Sequence, residues 1–110
     1  MDKMIWMNLS AIHFHDCRLK RVTEITASDD YLFEVEYPID WEQNQFAPRT
    51  IVFRNVLEYS VHEGAFQGPP TLLDVLVGEQ VGRHYRLRIE TNAGYRTLLC
   101  SNVELLAPTA

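Results

Sequence analysis

The densest chemistry in the sequence is the run Ile12-His13-Phe14-His15-Asp16-Cys17. In an extended chain alternate side chains share a face, so His13 and His15 point the same way, a workable spacing for two ligands of one metal ion. Asp16 adds an oxygen donor and Cys17 a sulfur donor. Two ligands on one strand leave a tetrahedral site half built, so His62, His84 or a glutamate would have to converge on them. The metal would be a divalent transition ion such as zinc. The commoner role for such a run is a strand end at which His15 and Asp16 bond backbone groups in a turn, and then no cofactor is needed. A second chemistry is nucleophilic, with Cys17 or Cys100 beside a histidine. Cys100 is expected on the outer face of a hairpin opposite Arg86, whose charge would lower the thiol pKa. Glycine-rich phosphate loops, GxSxG elbows and HExxH helices are missing. The acid pairs Asp29-Asp30 and Asp40/Glu42 fall in loops, where acids are ordinary. No residue is assigned a catalytic role, and a binding domain is favoured over an enzyme.

Binding residues are expected in two loops. The first, residues 38–48, carries Trp41 and Phe46 among Asp40, Glu42 and other polar residues. The second, residues 64–70, carries Phe66 between glycines and prolines. Long loops in small β domains tend to hold binding function, and exposed aromatics make good anchors. The alternative is that these rings fold back to cap the ends of the domain.

The elements behind these loops are strands. In residues 31–37 the odd positions are aromatic or aliphatic and two even ones are Glu, so one face is buried and the other wet. Residues 50–63 repeat the scheme, with Ile51, Phe53, Leu57, Tyr59 and Val61 inward, and Asn55 breaks the row at an expected bulge or bend. Residues 83–91 put Tyr85, Leu87 and Ile89 on one face. A three-residue loop, Asn92-Ala93-Gly94, would return the chain so that Leu87 meets Leu99, Ile89 meets Thr97 and Glu90 meets Arg96. His84, Arg86, Arg88 and Arg96 then form a small outer basic patch, interrupted by Glu90, that reads as a solvated strand face. Residues 18–26 alternate imperfectly, because Leu19, Thr23 and Ile25 share a face with Arg21 while Val22 points away. Residues 71–77 could open a helix, but Val75 and Val77 favour a strand. The fold class expected is all-β: one domain over residues 1–110, an antiparallel β-sandwich or partly open barrel of six to eight short strands.

Composition agrees with a soluble globular domain: 46% hydrophobic and 23% charged residues in 110. No apolar run approaches the roughly 20 residues that span a bilayer, and residues 1–7 lack a signal peptide's apolar stretch, so a cytoplasmic protein with no membrane partner is expected. In that compartment Cys17 and Cys100 are free thiols. The net charge is −5. All of that excess lies in residues 1–48, which hold nine acids against four bases. This argues against nonspecific nucleic-acid binding and permits a basic protein partner. Self-association through a strand edge is the other partner mode considered.

The segment Phe14-His15-Asp16, a following strand, and alternating strands ending in Arg88-Ile89-Glu90-Thr91-Asn92-Ala93-Gly94-Tyr95-Arg96 resemble small bacterial all-β proteins. Some similar proteins are immunity-type proteins that neutralise a toxin. The resemblance implies a binding function and brings no catalytic residue with it.

Overall fold

Alternation of apolar and polar residues resolves into strands over most of the chain. A computed structural model describes residues 4–40 and 42–106. Within them a short helix, α1 (Met4–Ala11), precedes eight strands. These are β1 (Arg18–Ile25), β2 (Asp30–Asp40), β3 (Gln45–Arg54), β4 (Leu57–Glu63), β5 (Leu72–Val81), β6 (His84–Thr91), β7 (Gly94–Cys100) and β8 (Asn102–Leu106). They form two four-stranded antiparallel sheets, ordered β1-β2-β3-β8 and β4-β7-β6-β5. The Cα radius of gyration, 13.6 Å, is that of one compact domain of this length.

The two sheets share a ribbon. Thr50 lies opposite Leu106, Arg54 opposite Asn102 and Leu57 opposite Leu99, all in one register, so β3–β4 and β7–β8 run as one long antiparallel pair that passes from sheet to sheet. The bend falls at the expected residue: Asn55 takes a left-handed φ of 54°. Ser101 N–H donates to the Arg54 carbonyl across the bend. The opposite corner is closed by a bridge between Arg18 and Thr71, with Leu72 N–H donating to the Cys17 carbonyl and Leu19 N–H to that of Pro70. The result is a β-sandwich laced at two corners.

Between the sheets Phe33, Ile51, Phe53, Leu87, Ile89, Leu98 and Val103 are essentially inaccessible, and Ile5 of α1 joins them. Burying each such side chain contributes about 1.5–3 kcal/mol. Three local expectations are corrected. Leu57 is turned outward, and Val61, opposite Arg96 on the inner face, is still about half exposed. A bulge at Glu58, φ 52°, shifts the β4 register between Leu57 and Ser60, turning Leu57 out, and β4 lies at the sheet's edge. The imperfect alternation of β1 reflects a register shift between Leu19 and Arg21, which lets Leu19 and Val22 both reach the core. Residues 38–48 are mostly strand, because β2 continues to Asp40 and β3 begins at Gln45.

The C-terminal hairpin has its expected faces on β6 but a register one residue tighter. Thr91 pairs with Gly94, so the loop is the two residues Asn92-Ala93, and Leu87 faces Leu98 rather than Leu99. Cys100 therefore lies opposite Tyr85 in the core, Glu90 opposite Tyr95, and Arg96 opposite Ile89 on the inner face. Gly94 is required by packing, not by a bulged turn. It has φ 148°, and a Cβ there would collide with the His62 carbonyl of β4.

Each free edge is irregular. Register shifts interrupt β1, β4 and β5, the last at two places. The remaining edge, β8, lies against α1, whose Asn8 amide donates to the Val103 carbonyl and to Asn102. Bulges and covers of this kind discourage edge-to-edge association.

Leu87→Ala is expected to destabilise the fold by about 2–5 kcal/mol, and Arg88→Ala, on the opposite face, by about 0.5 kcal/mol or less. Urea unfolding of the two variants checks the orientation of β6, and a larger loss from Arg88→Ala would reverse it.

Candidate functional site

The His13–Cys17 run forms the loop between α1 and β1, pinned by its backbone. Asp16, at φ 70°, donates its N–H to the Leu72 carbonyl, and His13 N–H donates to the Tyr37 hydroxyl. His15 Nδ1 lies 2.9 Å from the Leu73 carbonyl and Nε2 3.5 Å from Asp16. This is the backbone-bonded turn that such a run more commonly makes. Both imidazoles are exposed, with ring centroids 6.4 Å apart. Among the described residues no third His, Cys, Asp or Glu joins a pair to make a metal-binding group. His62 lies on the outer face of the other sheet, against Tyr95.

The cysteines are unpaired and fully buried. Burial pushes both thiols up to about 12, with the charge of Asp16 adding to the effect at Cys17. The expected influence of Arg86 on Cys100 fails because the tighter register turns Cys100 inward.

Of the expected binding residues, Trp41 lies outside the described residues. Asp40 Oδ1 accepts the Gln43 N–H and so closes the tight β2–β3 turn; Glu42 is exposed beside it. Phe46 is half-buried under the Arg18 guanidinium, 4.9 Å from the ring centroid. Phe66 projects from the β4–β5 loop with 47% of its surface exposed.

The outer faces of the two sheets differ in kind. On the β1-β2-β3-β8 sheet, Arg18 and Lys20 meet Glu36, Arg21 meets Glu34, and Arg54 bridges Asp30 and Glu104. That is a charge-paired, solvated face. On the β4-β7-β6-β5 sheet, side chains are stacked across strands. Tyr95 carries the Arg88 guanidinium 3.8 Å from its ring centroid, and the His62 ring stacks on it at 4.7 Å. His62 Nε2 lies 2.9 Å from Ser60 Oγ, which is bonded in turn to Thr97. Leu57 and Leu76 flank this row, each nearly half exposed. Arg86 is held between Glu58 and Glu79, and Arg88 by Glu90. Sequence reasoning found Arg86, Arg88 and Glu90 on this face. It missed Tyr95, because a one-residue change of register moves Tyr95 from the inner face to the outer one.

The same change carries Arg96 inward. Its guanidinium makes two hydrogen bonds to Glu63, at 2.7 and 2.8 Å, and a third to the Tyr59 hydroxyl at 2.9 Å. Thr91 adds a hydroxyl to Glu63. The hydrogen bonds from Arg96 hold the Glu63 carboxyl below its ordinary value, against the upward push of burial. A carboxylate depressed in this way stabilises the fold above its unfolded pKa, about 4.3, and the contribution is lost as pH falls through the lower folded value.

Arg96→Ala, which strands Glu63, is expected to cost about 3 kcal/mol at neutral pH. In Glu63→Gln, stability measured by urea titration should fall less steeply below about pH 4.3 than in the wild type. An unchanged acid slope would place the linkage elsewhere. Neither cysteine should react with an aromatic disulfide reagent in the native protein at mildly alkaline pH, while both react on unfolding. Fast native labelling of Cys100 would contradict its buried position. Compared with known proteins, the chain matches no family model, and no curated protein is measurably similar to it.

Proposed function

We propose that the chain is a noncatalytic binding domain that engages a basic protein partner through the outer face of the β4-β7-β6-β5 sheet. One observation carries the reading. Half-exposed Leu57 and Leu76 and the ordered Arg88–Tyr95–His62 stack share a face on which Glu58, Asp74, Glu79 and Glu90 outnumber Arg86 and Arg88. Preformed aromatic and arginine anchors suit the centre of an interface, and a surplus of carboxylates around them favours a cationic partner. The net charge of −5 acts in the same direction at longer range. The likeness to immunity-type proteins supports the same class of function, and two unpaired thiols suit the cytoplasm. Register shifts on the free strands make the face a better docking surface than the edges.

Affinity capture from the source cells supplies the partner, and titration at two ionic strengths with variants tests the surface. Binding should weaken with salt, and Leu57→Asp/Leu76→Asp should abolish it while leaving thermal unfolding unchanged. Loss of binding in Phe46→Ala/Phe66→Ala instead would move the interface to the loops. The second reading, a metal-binding protein, is favoured by the exposed pair His13 and His15. A zinc- or nickel-specific rise in Tm, lost in His13→Ala/His15→Ala, would establish it.

A further inference from the structure

Where the ribbon bends, the β1–β2 turn, the two corners of the ribbon and the β5–β6 turn surround a cleft of about 810 Å³. That is the size of a small-molecule site, about 300–1,000 Å³. Its lining includes two arginines, Arg54 and Arg83, and one acid, Asp30, while Glu104 meets Arg54 from beside it, so these four charges sum to zero. The charges are not equivalent. Arg54 is committed, donating to Asp30 at 2.9 Å and to Glu104 at 2.7 Å. Asp30 is committed as well: it accepts from Ser28, from Arg54 and from the Asn55 N–H, and although burial pushes its carboxyl up, these bonds hold it below its ordinary value. Arg83 makes no ion pair or hydrogen bond among the described residues.

Neutral donors line the same cleft as that free cation. Asn55 spends one amide N–H on Ser101, and Gln80 one on the Gly82 carbonyl. An amide nitrogen carries two donors, so each has one left. Asn102 has its Oδ1 engaged by Asn8, which leaves its amide nitrogen for another partner. The backbone beneath is set by left-handed residues at Asn55, φ 54°, and Gly82, φ 64°. A fork-shaped guanidinium with amide donors around it matches a phosphate attached to a hydroxylated body: two parallel N–H···O bonds to the phosphate, and amides to hydroxyls.

We propose that this cleft binds a small phosphate ester, with Arg83 holding the phosphate and Asn55, Gln80 and Asn102 the hydroxyl-bearing part. The site is independent of the partner proposed above, because it needs no second protein.

Ribose 5-phosphate, inorganic phosphate and ribose are the probes, titrated into the full chain and followed by amide NMR shifts. Saturable shifts confined to residues 28–30, 54–55, 80–83 and 101–102 are expected with ribose 5-phosphate, weaker ones with phosphate, and none with ribose. Arg83→Gln should weaken the ester about tenfold or more, since a charge-assisted hydrogen-bond pair is lost. Arg49→Gln, at a half-buried arginine of β3 outside this cleft, should bind like the wild type. Absence of saturable shifts, equal affinity for ribose and its phosphate, or an Arg83→Gln variant that binds like the wild type would each overturn the proposal.

Discussion

Everything in this fold hangs on one antiparallel register. From Thr50 opposite Leu106 to Leu57 opposite Leu99 the ribbon keeps its pairing through a bend, so a single hydrogen-bonded ladder belongs to both sheets. A bent strand pair must turn its side chains as well as its backbone. Asn55 accepts the left-handed conformation that the turn requires, which a short polar side chain tolerates better than a branched one. Val56 follows immediately and is buried, with its N–H donated to the Asp29 carbonyl. The corner is thus tied to the β1–β2 turn as well as to Ser101.

At one end of the interior the Arg96–Glu63 pair and Tyr59 sit between the sheets. Tyr59 also packs its ring on Tyr31 at 4.7 Å and on Phe33 at 6.2 Å, so the polar network is joined to the aromatic core through one side chain. A half-buried ion pair of this kind contributes little net stability compared with well-packed apolar residues. Its physical effect is on orientation. An arginine with three bonded directions on the inner face of β7 penalises the one-residue slip that would carry it outward and bring Tyr95 in.

Much of this architecture was legible in the residues. Alternation over 31–37 and 83–91 located two inner strands with the right faces, and the break at Asn55 marked the bend. What remained hidden was set by contacts distant in sequence. A three-residue loop ending in glycine and a two-residue loop followed by glycine look alike locally. The choice between them is made by the approach of β4 to Gly94, which no local pattern encodes. Leu57 reads as inward by period two, because a non-glycine bulge at Glu58 leaves no mark on composition. The charge excess of residues 1–48 was visible as a sum. Which charges are paired across strands was not, since partners such as Arg54 and Glu104 are far apart along the chain.

The shared ribbon also has a consequence for biosynthesis. On a ribosome the chain emerges from its N-terminus, so β2 and β3 can form their hairpin early, but β3 receives its second neighbour only when β8, about fifty residues further on, has left the exit tunnel. Until then β3 presents an open row of backbone groups beside Ile51, Val52 and Phe53, the most apolar stretch of that strand. Pairings between residues so far apart form slowly because loop closure precedes any gain. The nascent chain therefore carries an apolar row open to misassociation until β8 arrives, at three residues that the finished molecule buries.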